Sequence, residues 1–460
     1  MVAAPGSLFM LQWIVTFQAH ATVVVPAERH GWFWWSQPAD AVQPTCQPGA
    51  RSGFPANLLD PRFLTLIAAA LGWGLDGFDV LLYSNVQIHV MTALGIHSKA
   101  IAGLPNAFML LASGIGGVLF GFIADRIGRT KALMLSILTY SLCSLGSGFS
   151  TSIVMLIAFR FVLGLGMGGE WNTGATLVAE TWPTHLRARA IAIVQSAWAW
   201  GLAAAAVVAW IVLDKLHQNW RFVFFVGVLP ALVTLWIRRS VPESEMWQQH
   251  KDQATAKAPF SEVFSPALRK NTIFLLLLNI FGLFAWWGLF SWMPPYLTLP
   301  VEKGGRGLSM MNTTTLLVTL NLVGMFPGYL FYGWVADKLG RKRSLILYTL
   351  CAAGLIPLYA AARTPWIILV LGAFVGFFGT GFFAGSGIIG SELFPTRVRA
   401  RALGFTYNGA RALSCVAPYT IGWIGDKKGL SAAFLLCALA FVLTAIMATQ
   451  LPETKGKNLE

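Results

Sequence analysis

Long blocks of apolar residues, separated by short polar connections, make up most of the chain. Twelve blocks follow one another from residue 62 onward, at about 62–90, 100–123, 131–150, 152–180, 189–213, 219–239, 272–298, 309–335, 343–361, 365–391, 401–425 and 430–451. A helix of about 20 apolar residues is long enough to cross the roughly 30 Å hydrocarbon core of a bilayer. Barrel strands are shorter and alternate in polarity, so these blocks predict twelve transmembrane helices.

The longest polar interval lies between the sixth and seventh blocks, at 241–271, and contains "ESEMWQQHKDQ". We interpret it as a cytoplasmic linker. It separates an N-terminal six-helix bundle at 59–240 from a C-terminal six-helix bundle at 272–460. An even number of helices places both ends of this core on the same side of the membrane.

Residues 1–58 do not follow the pattern. Their apolar run, "SLFMLQWIVTFQAHATVVV", is interrupted by Gln12, Gln18 and His20, and no basic residue precedes it, which argues against a signal peptide. A stretch with several prolines follows. We interpret this segment as a leader that is poorly ordered or lies at the membrane interface, with a thirteenth span as the alternative.

Composition supports a membrane protein, because 56% of the residues are hydrophobic and 11% are charged. Soluble chains carry about 25% charged residues. The formal net charge is +14, and the cations concentrate in every second connection between the predicted helices. These cations are Arg126, Arg129 and Lys131; Arg187 and Arg189; Lys338, Arg341, Lys342 and Arg343; and Arg397, Arg399 and Arg401. The positive-inside rule places these connections in the cytoplasm, with the core in the cell inner membrane. No basic stripe with interleaved aromatics suggests nucleic acid as a partner.

Several other functions are not supported. The five cysteines are far apart and show no metal or disulfide spacing. The glycines between Gly164 and Gly169 lack the strand and the Lys-Ser/Thr of a phosphate loop, and small residues for helix packing explain them better. No nucleophile and base occur in a catalytic pattern. We therefore predict no enzyme activity, no cofactor and no metal.

Two motifs occur twice. "GFIADRIGR" begins at Gly121 and "GWVADKLGR" begins at Gly333; "ETWPTHLRARA" begins at Glu180 and "ELFPTRVRARA" begins at Glu392. Both pairs are 212 residues apart. The two bundles are therefore parallel copies of one another. In one large class of transporters, two such halves are related by a rotation axis along the membrane normal.

These motifs resemble those of the major facilitator superfamily. "RFVLGLGMGGE" from Arg160, "VPESE" after the sixth helix and "LPETKG" after the twelfth are similar to its sugar-porter-like branch. The resemblance covers roughly residues 62–460. It implies an all-α membrane protein with twelve helices in two pseudo-symmetric six-helix bundles, and a monomer that transports small molecules by alternating access.

The duplicated charges predict gates that form in one conformation and break in the other. The predicted gating residues are Asp125, Arg129, Glu180 and Arg187 in the first copy, and Asp337, Arg341, Glu392 and Arg399 in the second. The alternative is that these charges only fix the topology.

Ionisable residues within the predicted helices are functional candidates, because a buried charge in a membrane is costly. Asp76 and Asp79, three residues apart in "LDGFD", share one face of the first helix. "LDGFD" resembles the first helix of organic-acid:proton symporters, and the resemblance to the related sugar:proton branch pairs Asp79 with Arg160 of the fourth helix as a proton switch. The alternative is a static ion pair that fixes helix register. Glu170 is interpreted either as a second proton site or as a hydrogen-bond partner between helices.

Arg411 lies in the eleventh helix, within "GFTYNGARALSCVAP", and no acid is evident in the neighbouring helices of that bundle. Because arginine binds carboxylates bidentately, we predict that Arg411 contacts a substrate carboxylate. "GFTYN" is similar to sialate-type carriers, and the interval from Arg411 to Pro418 is similar to nicotinate-type carriers. The other predicted substrate-binding residues are Gln195, Trp198, Asn279, Trp287, Tyr407 and Asn408.

The sequence therefore predicts a secondary transporter that moves a small organic anion, with a carboxylate group, together with a proton. Sugars or other neutral metabolites, moved by proton symport or facilitated diffusion, are the main alternative. A transport-derived nutrient sensor is disfavoured, because the chain ends soon after the twelfth helix.

Overall fold

The computed structural model describes residues 60–244, 248 and 260–455. These residues form twelve successive helices: α1 (Pro61–Ala93), α2 (Lys99–Ile127), α3 (Arg129–Gly148), α4 (Ile153–Thr181), α5 (Thr184–Trp210), α6 (in two segments, Arg221–Val226 and Pro230–Ser240), α7 (Arg269–Thr298), α8 (Met310–Leu339), α9 (Arg341–Ala361), α10 (Pro365–Leu393), α11 (in two segments, Thr396–Leu413 and Val416–Lys428) and α12 (Leu430–Thr449). The predicted twelve-helix, all-α fold is confirmed.

Nine of the helices in the described part are long and apolar enough to cross a membrane. The exceptions are α3, α6 and α11. Both α6 and α11 are interrupted by a short turn, and α3 begins with the polar sequence Arg-Thr-Lys and contains four serines. The leader and most of the linker lie outside the described residues, so the domain boundaries at 58, 240 and 271 stay predictions.

Local chemistry explains how the helices begin and end. The carboxylate of Asp60 accepts a hydrogen bond from the backbone N–H of Arg62 at 2.8 Å and caps α1. Gly128 lies between α2 and α3, and Gly340 lies between α8 and α9. Their φ values of +107° and +99° belong to the region that favours glycine, because a side chain would clash there. The duplicated motif therefore encodes the same sharp turn in each bundle.

The glycine-rich stretch of α4 packs directly against α2. A side chain at Gly116 would collide with the backbone of Leu165, and one at Gly164 would collide with the backbone of Met109. Small residues allow two backbones to approach this closely. The packing role predicted for these glycines is consistent with the geometry.

The two bundles meet along α2 and α11. A Cβ at Gly103 would lie 2.5 Å from the carbonyl oxygen of Pro418, so the helices touch backbone to backbone. At the end of this contact, the carboxylate of Asp426 accepts hydrogen bonds from the backbone N–H groups of Lys99 at 2.9 Å and Ala100 at 3.1 Å. It also accepts one from the Ser98 hydroxyl at 2.9 Å. A carboxylate of one bundle thus caps the first turn of a helix in the other.

Candidate functional site

Two carboxylates of α1 lie in the interior of the first bundle. Asp76 and Asp79 are both fully buried. Neither carboxylate oxygen of Asp76 has a hydrogen-bond partner among the described residues. Asp79 accepts a hydrogen bond from the Ser144 hydroxyl at 2.7 Å, and its second oxygen is unpaired. The two acids therefore share a helix face, as predicted, but have different surroundings.

Arg160 of α4 lies beside Asp79, but the two side chains do not form an ion pair within 4.0 Å. Instead, Arg160 Nη1 donates to the backbone carbonyl oxygen of Asp79 at 3.1 Å. The guanidinium lies 5.3 Å from the ring centre of Tyr83 and 5.1 Å from that of Phe224. Nε and Nη2 have no partner in the described part. The predicted neighbours are therefore together, with unused hydrogen-bonding capacity on both side chains.

Glu170 lies ten residues after Arg160 on α4 and is 1% exposed. Neither of its carboxylate oxygens has a hydrogen-bond partner among residues 60–244, 248 and 260–455. Its carboxylate rests on Gly72 of α1, where a Cβ would collide with it. The hydroxyl of Tyr140 donates to the carbonyl oxygen of Gly72 at 3.3 Å. Within the described residues, Glu170 is thus not a hydrogen-bond partner between helices in this conformation.

Arg411 belongs to the second bundle and lies in the last turn of the first segment of α11. Its side chain is 2% exposed, and Nε has no hydrogen-bond partner within the described residues. Asp76 is close enough for the two charges to attract each other across the bundles. A buried cation that is not hydrogen-bonded to an anionic side chain can bind a ligand with a negatively charged group.

Five tryptophans form a continuous cluster. Trp73 of α1 lies 4.5 Å from Trp198 of α5 and 4.7 Å from Trp171 of α4, measured between ring centres. Trp198 lies 6.4 Å from both Trp286 and Trp287 of α7. The cluster therefore spans the two bundles and includes the predicted residues Trp198 and Trp287.

Sequence analysis missed Trp73 and Trp171 as members of this cluster. Trp73 precedes Asp76 by three residues, so helical spacing alone could have placed it on the same face. The indole N–H groups of Trp73, Trp286 and Trp287 are buried and have no acceptor among the described residues. Buried donors without acceptors are costly, and a ligand with acceptor atoms would satisfy them.

The remaining predicted substrate-binding residues lie in different surroundings. Asn279 donates to the carbonyl oxygen of Thr406 at 3.3 Å, and its own oxygen is unpaired in the described part. Asn408 packs on α2, where a Cβ at Gly117 would lie 2.5 Å from its side-chain oxygen. A hydrogen bond links Gln195 of α5 to Tyr329 of α8, and Tyr407 lies near both Tyr329 and Arg411.

The first set of predicted gating residues forms a cluster where α2, α3 and α4 meet. Arg129 Nη1 lies 2.8 Å from the carboxylate of Asp125, and Nη2 lies 3.3 Å from that of Glu180. Arg129 thus joins the acids of α2 and α4. The side chain of Arg187 lies outside the described residues.

The second set repeats this arrangement at the junction of α8, α9 and α10. Arg341 lies 2.7 Å from Asp337 and 3.4 Å from Glu392. Arg399 donates through Nε to the backbone carbonyl oxygen of Phe394 at 3.1 Å. The ion pairs described for each cluster join residues of the same bundle.

Two glutamates of the "VPESE" and "LPETKG" motifs have a role that sequence analysis did not identify. The carboxylate of Glu243 accepts hydrogen bonds from the backbone N–H groups of Arg129 at 2.8 Å and Thr130 at 3.1 Å, at the start of α3. Glu453 accepts from the N–H of Arg341 at 2.8 Å, at the start of α9. Glycine precedes both helices, so neither has its own side-chain cap, and a distant carboxylate supplies it.

The surroundings of Glu453 affect its ionisation. Partial burial raises its pKa, but four backbone hydrogen bonds outweigh burial and lower the pKa below the ordinary value. The donors are the N–H groups of Lys455, Arg341, Lys342 and Thr454. The ionised carboxylate is therefore the form that caps α9.

The comparison with known families decides the identity of the fold. The model for the Major Facilitator Superfamily matches residues 62–314 and 307–460. The chain belongs to this superfamily. It is consequently a transporter, not an enzyme, and a multi-pass membrane protein.

Named relatives within the superfamily cover most of the chain. A "Probable 4-methylmuconolactone transporter" of Cupriavidus pinatubonensis is 34% identical over 403 residues, covering 86% of this chain and 92% of that protein. The "Sialic acid transporter NanX" of Escherichia coli is 31% identical and covers 84% of this chain and 93% of its own. The "Cis,cis-muconate transport protein" of Acinetobacter baylyi is 29% identical, with coverages of 84% and 92%.

Solved structures of this superfamily share the fold. A crystal structure of a D-xylose-proton symporter superimposes with a TM-score of 0.70 at 22% identity, covering 86% of this chain and 99% of the other. A partially occluded inward-open structure of the xylose transporter XylE from E. coli gives the same TM-score at 20% identity, with coverages of 86% and 99%. This major facilitator chain therefore has the expected pair of six-helix bundles.

Proposed function

We propose that this transporter carries a small organic anion, with a carboxylate group, together with a proton by alternating access. The observation that supports this most directly is Arg411. It is a buried guanidinium whose Nε has no hydrogen-bond partner within the described residues. Arginine keeps its charge at any physiological pH, so the ligand that enters here supplies the negative charge.

The relatives support an organic acid as the substrate. The proteins named for cis,cis-muconate and sialic acid both carry acids, and the 4-methylmuconolactone transporter belongs to the same group of matches. Two of these three are at least 30% identical to this chain over more than four-fifths of it. A sugar stays the alternative, but the xylose transporters are too distant to favour it, because their similarity extends to the fold alone.

The tryptophan cluster suggests a planar or unsaturated acid. Indole rings stack on flat ligands, and the free N–H groups of Trp73, Trp286 and Trp287 suit oxygen acceptors on such a ligand. Trp198 lies between the ring of Trp73 in the first bundle and the ring of Trp287 in the second. A ligand bound against these rings would therefore touch both bundles at once. Asn279, with an unpaired oxygen, offers an acceptor for a hydroxyl group.

The proton would be carried by the acids of the first bundle. Asp76 attracts Arg411 across the bundles, so an incoming carboxylate competes with Asp76 for the same cation. Protonation of Asp76 removes that competition. Asp79 beside Arg160 is the second candidate, because its free oxygen and the free nitrogens of Arg160 allow the contact to change during transport.

The remaining assignments follow from the same proposal. The clusters around Arg129 and Arg341 act as gates, with Arg187 and Arg399 as further members. The protein works as a monomer in the inner membrane, surrounded by lipid, and the ends of its core face the cytoplasm. The leader, both bundles and the linker keep the boundaries predicted from the sequence.

Uptake into proteoliposomes tests the proposal. Labelled cis,cis-muconate, nicotinate, gentisate, sialic acid and xylose are each offered with and without an inward proton gradient. We expect at least one acid to accumulate only with the gradient, and Arg411→Ala to abolish its binding. Arg363→Ala, at an exposed position between α9 and α10, is the matched control and should behave as wild type. Uptake of xylose without any acid, or unchanged acid affinity in Arg411→Ala, would refute the anion assignment.

A further inference from the structure

The contact between Gly72 and Glu170 has a counterpart in the second bundle. Gly282 of α7 faces Phe382 of α10, and a Cβ at Gly282 would collide with the phenylalanine ring. Glu170 and Phe382 are 212 residues apart, the same interval as the duplicated motifs, whereas the two glycines are 210 residues apart. In both bundles, therefore, a glycine of the first helix receives a side chain from the fourth helix.

Comparison of Glu170 with Phe382 shows whether packing at this position requires a carboxyl group. Phe382 is fully buried and fills the space beside its glycine with an apolar ring. The second bundle thus closes the same contact without a polar group, so the fold does not need a carboxylate at this position. A carboxyl group in the membrane interior is costly and needs a reason other than packing.

The surroundings of Glu170 identify which form of the carboxyl group fits. Among the described residues, the titratable groups that face it are Asp76 from α1 and Tyr140 from α3. The helix α2 presents the apolar ring of Phe120 to the neighbouring Gly169. None of these groups supplies a positive charge, and both carboxylate oxygens lack donors in the described part. A charged carboxylate without donors or a cation is strongly disfavoured, whereas a protonated one is tolerated.

The position of Glu170 also connects it to the other acids. Gly72 lies four residues before Asp76, so Glu170 sits one helical turn from Asp76 along the same face of α1. Asp79 follows three residues later on this face. Three acids therefore form a series along α1, with Glu170 at the end nearest the start of the helix.

We infer that Glu170 carries the transported proton after Asp76, and that it is the last carboxyl group in the first bundle to hold it before release. In the conformation described here, Glu170 holds the proton as a carboxylic acid. When the bundles open towards water, it releases the proton and becomes a carboxylate, and it takes a new proton from Asp76 when the site closes again. This inference rests on the proposed proton symport. It assigns Glu170 a role that its counterpart Phe382 cannot have.

The test compares Glu170→Gln with Phe382→Leu in proteoliposomes. Glutamine keeps the shape of Glu170 but cannot exchange a proton, whereas Phe382→Leu disturbs the equivalent packing contact. The labelled probe is whichever of cis,cis-muconate, nicotinate and gentisate the wild type transports. We expect Glu170→Gln to lose accumulation driven by a proton gradient while it retains counterflow, which needs no net proton movement. Phe382→Leu should retain both.

A second measurement does not depend on transport. Infrared difference spectra between acidic and alkaline samples report the C=O stretch of protonated carboxyl groups. We expect one component of this signal to be lost in Glu170→Gln and kept in Phe382→Leu. Wild-type accumulation by Glu170→Gln, or an infrared titration identical to that of the wild type, would overturn the inference. Counterflow without gradient-driven accumulation in the wild type itself would instead refute the proposed symport.

Discussion

The contact of Asp426 with α2 leads to a quantitative prediction about the conformational equilibrium. Asp426 belongs to the second bundle, yet it accepts hydrogen bonds from Ser98 and from the first two N–H groups of α2, and its carboxylate lies 3.5 Å from the Lys99 ammonium. These bonds exist only while α2 and α11 are together at this end. They therefore stabilise the conformation that is closed here and not the one that is open.

The size of this effect can be derived from the contacts. A negative charge at a helix N-terminus stabilises the helix by about 0.3–1 kcal/mol. The ion pair with Lys99 is partly exposed and contributes about 0.2–1 kcal/mol. Asp426→Asn keeps the shape of the side chain but removes its charge and half of its acceptors. We expect it to shift the closed-to-open equilibrium by about 0.5–2 kcal/mol, or roughly 2- to 30-fold towards the open form.

Pulsed dipolar spectroscopy measures this shift. Spin labels are attached to cysteines introduced at His97 and Lys428, two exposed positions beside the contact, after the native cysteines are replaced by alanine. We expect a longer distance to gain population in Asp426→Asn. Glu302→Gln, an exposed acid between α7 and α8, is the matched control and should leave the distances unchanged. Identical distance distributions in Asp426→Asn and the wild type would refute the proposed stabilisation of the closed form.

Three further predictions concern stability and gating. Gly116→Ala should lower the free energy of unfolding by about 1–3 kcal/mol, because its Cβ collides with α4, and thermal unfolding in detergent should show no such loss for Gly121→Ala, where the space is open. Because the pKa of Glu453 is lowered, its cap stabilises the fold fully above the ordinary pKa of a glutamate, and this stabilisation is lost as the pH falls through the lowered pKa. Glu453→Gln should therefore unfold at a lower temperature than the wild type at neutral pH, and the difference should disappear in acid. A difference in unfolding temperature that does not depend on pH would contradict this. Asp125→Asn breaks the 2.8 Å contact with Arg129 and should slow transport while membrane insertion is unchanged; wild-type transport rates would exclude a gate.

Much of the fold could be predicted from the sequence, because its determinants are local or repeated. Apolar blocks of membrane length predict helices whatever they pack against. The contacts of Arg129 with Asp125, and of Arg341 with Asp337, join residues four positions apart on the sequence, close enough to pair around a tight turn. The duplicated motifs then predict the same cluster twice.

The site was harder to predict, because its contacts join distant parts of the chain. Sequence spacing does not reveal that Asp426 reaches Ser98 across 328 positions. The pairing of Asp79 with Arg160 was predicted by resemblance, but the hydrogen bond goes to the backbone carbonyl oxygen and not to the carboxylate. Such a difference depends on the rotation of two helices about their axes. No pattern of residue types encodes that rotation.

Some buried or clustered charges occur in both bundles, whereas others occur in one bundle only. The first kind belongs to the duplicated fold, and the second kind is, under the proposed function, specific to the substrate or proton site of this protein. The cluster around Arg129 recurs around Arg341, so both bundles need it. At the same interval of 212 residues, Arg160 corresponds to Gly372 and Arg411 corresponds to Ala199. A buried charge in a membrane is costly, so the duplicated fold alone does not explain Arg160 or Arg411. The acids lie in the first bundle and the free cation in the second, so a proton and an anion would be held by opposite bundles. Under the proposed mechanism, neither bundle alone could couple the two; coupling requires that both close on the same ligand.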